Sequence, residues 1–238
     1  MSIKMIAFDL DGTLTQHKTK LSAEHRRILF ELQERYHLVM VGAGMCRRIF
    51  NQMEEFPIDI IGNYGMQCAK YDAQTKDIHI VEDIVKECNR QIVEERVTML
   101  RRKHGFTEYA GDNVEYHSSG CVTFPILGTK AKQEDKLSFD PDRKKRRAFY
   151  NEVIETFPEY NIFVGGSSSF DMAPKPYNKY YALDKYCAEK GIIHSEVVFV
   201  GDDYGMGGND ESVYKSDFNF IEVDYYEDFP EKVKHLLV

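Results

Sequence analysis

What the chain lacks narrows what it can be. Its five cysteines, Cys46, Cys68, Cys88, Cys121 and Cys187, are odd in number, widely spaced and never form a CxxC pair. That spacing argues against a disulfide framework and against a zinc site, whose ligands come in close pairs. Reduced thiols in a cytoplasmic protein are expected instead. No apolar run approaches the length of a membrane span, and MSIKMIAFD goes straight into a strand pattern without a signal-peptide signature, so no membrane partner is expected. Positive charge is in deficit: 31 Lys and Arg against 39 Asp and Glu leave a net charge of −8. That balance argues against a nucleic-acid partner held through its phosphates. Low-complexity tracts are also missing. The remainder, 238 residues at 42% hydrophobic and 13% aromatic, can bury sizeable cores, in one large domain or two modest ones.

The most informative stretch is Asp9-Leu10-Asp11-Gly12-Thr13-Leu14-Thr15. The run Ile3–Phe8 before it is almost unbroken in apolar residues, as expected of a parallel strand buried on both faces. Ligands of α/β sheets bind at the carboxyl ends of strands. Two carboxylates delivered there, with a glycine to let the backbone turn, suit a metal-assisted phosphoryl site.

Along the chain, Ser22 can cap a helix running to about Tyr36, and Leu38–Val41 is a second buried strand ended by Gly42-Ala43-Gly44. A helix at Cys46–Met53 and a strand at Ile58–Ile61 complete a β-α-β-α-β order, the pattern of a parallel sheet with right-handed crossovers. The rhythm then changes. Met66–Val81 reads as a hairpin around a polar turn. Ile84–His104 reads as one amphipathic helix with Ile84, Cys88, Ile92 and Val97 down one side and Gly105 past its end. Val114–Ile126 reads as a strand, and Arg143–Arg147 as the solvated first turn of a helix capped by Asp140 or Asp142. Strands at Asn161–Val164 and Ser168–Met172 follow, then a helix at Asn178–Lys190, a strand at Val197–Val200, and a last strand near Phe218–Val223 before a short terminal helix. The fold class expected is α/β: a Rossmann-like parallel sheet core, residues 1–82 plus 177–238, with an inserted α+β cap, residues 83–176.

Three further clusters carry chemistry. Gly201-Asp202-Asp203 with Asn209-Asp210 again delivers acids at the end of a buried strand. Mg²⁺ takes hard oxygen ligands, commonly one or two carboxylates plus substrate phosphate, and Asp9 and Asp202 can supply them if their strands are neighbours. Lys179 opens a helix, where a cation makes sense if an anion is bound beside it. The strand-end turns at Gly42–Gly44 and Asn63–Gly65 offer backbone N–H groups, and Asn63 an amide, to phosphate oxygens.

Asp9-Leu10-Asp11-Gly12-Thr13, Lys179, and Gly201-Asp202-Asp203 with Asn209-Asp210 resemble the spaced motifs of the haloacid dehalogenase-like phosphotransferases. The large insertion before Lys179 is similar to their second cap class. Gly165-Gly166-Ser167-Ser168-Ser169-Phe170-Asp171 and Gly207-Gly208-Asn209-Asp210 look most like eukaryotic-type phosphomannomutases. The resemblance implies that Asp9 is the nucleophile that forms an aspartyl-phosphate and that Asp11 is the general acid/base and also lends a backbone carbonyl to Mg²⁺. It implies that Lys179 holds the phosphoryl group and Asp9, and that Asp202 ligates the metal, with Asp203, Asn209 and Asp210 as further metal-loop candidates. Gly42, Ala43 and Asn63 would bind phosphate. A cap-mediated homodimer is allowed by the family analogy.

Two departures bear on the reaction. The second motif usually supplies a Thr or Ser hydroxyl, whereas this chain has Gly42, so a backbone N–H would have to serve. Where the mutases carry cap arginines that clamp the distal phosphate of a bisphosphorylated sugar, alignment on Gly120 and Gly128 gives Ser118 and Thr129, with Lys130 and Lys132 nearby. Loss of a bidentate arginine clamp is not conservative, and it favours attack by water. Ser169 and Asp171 remain at positions where the mutase cap contacts sugar hydroxyls. The expectation is therefore a Mg²⁺-dependent phosphohydrolase acting on a small phosphorylated metabolite such as a sugar phosphate. The alternatives are a phosphomannomutase and, in a different class, a non-catalytic binding or regulatory module on the same fold.

Overall fold

A computed structural model of the protein describes residues 2–238. In chain order the elements are β1 (Met5–Phe8), α1 (Ala23–Gln33), β2 (His37–Val41), α2 (Cys46–Gln52), β3 (Asp59–Gly62), β4 (Gln67–Asp72), β5 (Asp77–Asp83) and α3 (Arg90–His104). They continue with β6 (Glu115–Tyr116), β7 (Val122–Pro125), α4 (Gln133–Phe139), α5 (Lys144–Arg147), α6 (Tyr150–Thr156), β8 (Tyr160–Phe163) and β9 (Ser169–Pro174). The chain ends with α7 (Lys179–Lys190), β10 (Val197–Gly201), α8 (Glu211–Tyr214), β11 (Asn219–Glu222) and α9 (Phe229–Val233).

The residues cluster into two compact units. One comprises Met1–Ile84, Asn178–Gly205 and Asp210–Val238, the other Val85–Tyr177 with Met206–Asn209. The second unit thus takes in Tyr177 and a four-residue piece of the last acidic loop, both assigned to the core by the sequence division. The reason is local: within this unit Val164 N–H donates to the Gly207 carbonyl at 2.8 Å, and Arg147 Nε to the Met206 carbonyl at 2.9 Å.

The first unit is a seven-stranded sheet in the order β11-β10-β1-β2-β3-β4-β5. The strands from β11 to β3 are parallel, and β4 and β5 add an antiparallel hairpin. β1 lies between β10 and β2, with Phe8 level with both Val200 and Met40. Ile6 and Phe8 face a core built with α1, α2 and α9, and Met5 and Ala7 face one built with α7 and α8. That explains the unbroken apolar run of β1, which water touches on neither face.

The second unit is an antiparallel sheet in the order β6-β7-β9-β8. Val93, Val97 and Leu100 of α3 and Val153 of α6 pack on Val122, Phe124, Phe170 and Met172 along one face. Three expectations are corrected here. The α3 helix begins at Arg90, because the Asn89 side chain caps it by accepting from Ile92 N–H at 3.2 Å. Its buried face is therefore Val93-Val97-Leu100, and Ile92 is exposed. Val114–Ile126 is two strands, β6 and β7, separated by a turn in which Gly120 N–H donates to the His117 carbonyl. The basic run is not wholly solvated. Arg146 is buried against Asp140 at 2.9 Å, and its guanidinium also donates to the carbonyls of Gly165, Gly166 and Ser169.

No disulfide joins the cysteines among the described residues. No helix among them is long and apolar enough to cross a membrane.

His194, just before β10, ties three segments of the first unit together. Its Nε2 is 3.0 Å from Asp184 on α7, its Nδ1 is 2.7 Å from Asp217 ahead of β11, and its ring stacks on Phe218. Both nitrogens donate only in the charged form. Burial opposes that charge, but the bonds to Asp217 and Asp184 outweigh it and raise the His194 pKa. A raised folded-state pKa gives stability that is fully present below the unfolded value of about 6.5 and is lost as pH rises through the folded value. Melting of the wild type and of His194→Asn across that range is expected to show a difference of a few °C at acidic pH that shrinks as pH rises. A difference independent of pH would contradict this account.

Candidate active site

Parallel pairing brings the carboxyl ends of β1, β10, β2 and β3 to one edge of the sheet. The chain runs from β1 to β2 on one side and reaches β10 on the other, so a topological switch point lies between β1 and β10. Asp9 follows β1 and Asp202 follows β10, which makes them neighbours. Asp9 N–H donates to the Val200 carbonyl at 2.9 Å, and the N–H groups of Thr13, Leu14 and Thr15 converge on the Leu10 carbonyl at 3.3, 2.9 and 3.1 Å. Gly12 turns the chain with φ of +102°, and a Cβ there would lie 2.3 Å from Asp202 Oδ2. Only glycine meets both demands. The buried Thr13 hydroxyl donates to Asp202 Oδ1 at 2.9 Å.

Lys179 is the first residue of α7, whose N-cap Asn178 accepts from Tyr181 N–H at 2.8 Å. Its ammonium is completely buried and donates to Asp9 Oδ1 and, at 2.7 Å, to Asp210 Oδ1. Asp210 is held in turn by Asp203 N–H, which donates to its Oδ2 at 3.0 Å. Carboxylate oxygens of Asp9, Asp202 and Asp210 all lie within 4.8 Å of one another. Burial, then the Asp9 and Asp210 charges, push the Asp202 carboxyl up to about 9. Burial also raises Asp210, to about 6, against the pull of Lys179. Burial alone would lower Lys179, but Asp210 and Asp9 outweigh it and keep the ammonium charged. Three carboxylates thus share one ammonium. The hard oxygens and the surplus negative charge fit a divalent cation such as those that prefer oxygen ligands.

Asp11 stands outside this cluster. Its carboxylate accepts from Lys18 N–H at 2.8 Å, Gln52 Nε2 at 2.6 Å and Arg48 Nη1 at 3.3 Å. Burial pushes the carboxyl up, but the hydrogen bonds from Gln52 and Lys18 and the Arg48 charge outweigh it and hold it below its ordinary value.

The turn after β2 corrects one expectation. The Gly42 N–H is taken by the Ile61 carbonyl at 2.8 Å, so it extends the sheet and cannot serve a phosphate. The N–H groups of Ala43 and Gly44 make no hydrogen bond to another described residue, and they are the donors this turn can offer. Asn63 is buried at the end of β3 with a left-handed backbone, its N–H on the Gly44 carbonyl at 2.7 Å.

A model of the haloacid dehalogenase-like hydrolases matches residues 6–210. The chain belongs to the haloacid dehalogenase-like hydrolase family. Among curated relatives, mouse phosphomannomutase 1 is 26% identical over 87% of this chain and 81% of its own. The phosphomannomutase of Encephalitozoon cuniculi is 25% identical over 97% and 92%. Among solved structures, an IMP-bound, N-terminally truncated IMP-nucleotidase of Plasmodium falciparum superposes with a TM-score of 0.70 at 13% identity, over 99% of this chain and 68% of that one. A haloalkanoate-superfamily phosphatase of Bacteroides thetaiotaomicron superposes at 0.64 with 17% identity, over 100% and 96%. These two likenesses speak for the fold alone.

Within this haloacid dehalogenase-like chain, the structure sorts the remaining candidates. Asp210 joins Asp9 and Asp202, whereas Asp203 contributes its backbone to Asp210 and falls outside the carboxylate cluster. Asn209 belongs to the second compact unit. In that unit Thr123 and Asp171 are opposite each other on β7 and β9, with Thr123 Oγ1 donating to Asp171 at 3.1 Å and Ser169 Oγ to the Gly165 carbonyl at 3.1 Å. Burial pushes the Asp171 carboxyl up. Ser118 and Lys130 are exposed. Lys132 is exposed too, 3.9 Å from Glu134, and Thr129 is occupied by Asp112. Thr13, Arg48 and Gln52 were not singled out by sequence. Thr13 lies inside the Asp-x-Asp-Gly-Thr motif, and the other two show only as an i, i+4 polar pair on the helix after the glycine turn.

Crowding of three acids yields a test. Asp202→Asn keeps an acceptor for Thr13 and removes a carboxyl that burial and its acidic neighbours force to take up a proton at neutral pH. Without metal at neutral pH, its melting midpoint is expected to rise above wild type by about 2–4 °C for each kcal/mol of that cost relieved. Mg²⁺ is expected to raise the wild-type midpoint and to move the variant much less. A variant that melts lower than wild type, or that responds equally to Mg²⁺, would contradict the crowding account.

Proposed function

We propose that the chain is a Mg²⁺-dependent phosphohydrolase that works through an aspartyl-phosphate on Asp9 and acts on a small phosphorylated metabolite, most naturally a sugar phosphate. The observation that carries this reading is the buried Lys179 ammonium holding Asp9 beside Asp202 and Asp210, with Asp11 off that cluster.

Asp9 and Asp202 would hold the metal, together with the Asp11 carbonyl, which accepts no backbone hydrogen bond among the described residues. The ion would supply charge neutralisation for the transferring phosphoryl group. Asp9 attacks phosphorus as the bond to the leaving alcohol oxygen breaks, and Asp11 gives that oxygen a proton. Water then attacks the same phosphorus, Asp11 takes its proton, and Asp9 is released as a carboxylate with inorganic phosphate. Division into two steps is what a carboxylate nucleophile contributes. Lys179 keeps Asp9 oriented and offsets charge, where positioning and electrostatics account for most of phosphoryl transfer. Ala43 and Gly44 N–H groups are suited to the phosphoryl oxygens, and Ser169 and Asp171 to hydroxyls of the alcohol part.

The names of the relatives favour a second reading, phosphomannomutase. Water as acceptor is supported by the chemistry of the second unit. Its two buried arginines are consumed internally, Arg146 by Asp140 and three carbonyls, Arg101 by Asn113 and the carbonyls of Phe106, Pro125 and Ile126. The polar face of its sheet presents Thr123, Ser169 and Asp171, which suit hydroxyls and not a second phosphate.

A phosphate-release screen over sugar phosphates and nucleotides with Mg²⁺ tests this. Release is expected from at least one sugar phosphate, with Asp9→Asn slower by at least about 10³-fold, as when a residue that forms the covalent intermediate is removed. Interconversion of mannose 1-phosphate, given a bisphosphate activator and without phosphate release, would establish the mutase reading instead.

A further inference from the structure

Arg48 and Gln52 are four residues apart on α2, hence on the same helical face, and both reach Asp11. Gln52 Nε2 is 2.6 Å from Asp11 Oδ1 and 3.1 Å from Thr15 Oγ1. Arg48 Nη1 is 2.8 Å from Gln52 Oε1 and 3.3 Å from Asp11 Oδ2. An amide has an acceptor on one side and donors on the other, in nearly the same shape. Arginine can only donate, so Arg48 selects the Gln52 oxygen and turns the NH₂ group toward Asp11. Thr15 is compatible, because its hydroxyl gives its own proton to the Leu10 carbonyl and accepts from Gln52. Gly44 completes the arrangement: a Cβ there would lie 2.1 Å from Arg48 Nη2, so its absence lets the guanidinium rest against the turn.

A surface pair that merely pins α2 to the first turn would need one bond to that turn. Here three donors from two elements converge on both oxygens of one carboxylate, and a fourth contact sets the polarity of the amide. We propose that Gln52, oriented by Arg48, is the positioning residue for Asp11 in phosphoryl transfer. This rests on the phosphohydrolase reading above.

Asp11 acts twice. Asp11 enters the first half-reaction protonated, against the pull of its three donors, and that proton goes to the leaving oxygen while the Asp9 oxygen–phosphorus bond forms and the ester P–O bond breaks. In the second it accepts a proton from water, which restores the protonated form, while the water oxygen–phosphorus bond forms and the Asp9–phosphorus link breaks. Each transfer needs an Asp11 oxygen within hydrogen-bond reach of the reacting oxygen, and a carboxylate free to rotate is there less often. The first transfer matters in proportion to the basicity of the leaving group. An alkoxide needs the proton, and a nitrophenolate leaves without it. The second transfer is the same for every substrate.

The experiment compares wild type, Gln52→Leu and Arg48→Met, each with Mg²⁺, on p-nitrophenyl phosphate and on an alkyl phosphate turned over by the wild type. For Gln52→Leu, kcat/KM on the alkyl ester is expected to fall about 10–100-fold, part of the roughly 10²–10⁴-fold that a positioned acid–base group supplies. On the aryl ester kcat/KM is expected to change less than about 3-fold, with one equivalent of nitrophenolate released in a burst before slow turnover. Arg48→Met is expected to show the same contrast at smaller amplitude. Its side chain is about half exposed, so it gives the reading even if Gln52→Leu fails to fold. Equal losses on the two esters, or none on either, overturn the positioning role while leaving the phosphohydrolase reading in place. A wild type that turns over neither p-nitrophenyl phosphate nor any alkyl phosphate overturns that reading and this inference with it.

Discussion

Burial of the Lys179 ammonium among carboxylates is the interaction on which the rest of the first unit's chemistry depends. An isolated ammonium without solvent contact is very costly, and it becomes tenable through the two carboxylates that touch it, Asp9 and Asp210. Those carboxylates in turn could not be packed beside Asp202 without it. Asp210 and Asp202 are each further held by a neutral donor, Asp203 N–H for Asp210 and the Thr13 hydroxyl for Asp202. The charges still do not balance, and the surplus is negative. Such a buried negative surplus fits a bound cation.

The parts of this arrangement that follow from strand ends were legible in the sequence. β1 and β10 are short apolar runs ending in acids, and parallel neighbours deliver their termini to the same edge. Lys179 was legible as a lysine opening a helix, although the identity of its second carboxylate, Asp210, was not: that pairing spans 31 residues and needs the tertiary fold. The expected phosphate role of Gly42 failed because sequence shows which residues carry an N–H and not which N–H the sheet consumes. Gln52 and Arg48 were invisible for a related reason. An Arg–Gln pair one helical turn apart is ordinary on a surface helix, and only the return of the first acidic turn beside it gives the pair a partner. The α3 boundary is hidden in the sequence because Ile84, Cys88 and Ile92 continue a helical spacing, while the Asn89 cap decides where the helix starts.

The second unit shows why the substrate was the least legible feature. Its sheet has one face spent on a hydrophobic core and one face of mixed polar residues, and the arginines that composition alone would offer to an anion are occupied. Arg146 and Arg101 each organise a loop by donating to several carbonyls, so they are structural cations. Lys130 and Lys132, which sequence proximity recommended, lie exposed on a turn tied together by Thr129 and Asp112. The proposed phosphohydrolase reading assigns specificity to short polar side chains, Thr123, Ser169 and Asp171, whose chemistry suits hydroxyl groups in general.

In the proposed mechanism Asp9, held by Lys179, becomes phosphorylated during turnover. Rapid acid quenching of the protein with Mg²⁺ and a turned-over sugar phosphate, followed by mass spectrometry of the peptide that contains Asp9, tests it directly. A phosphoryl group is expected on Asp9, one that hydroxylamine removes as it does from an acyl phosphate. Steady turnover with no phosphoryl group on Asp9 at any quench time, or with the group on another residue, would contradict it.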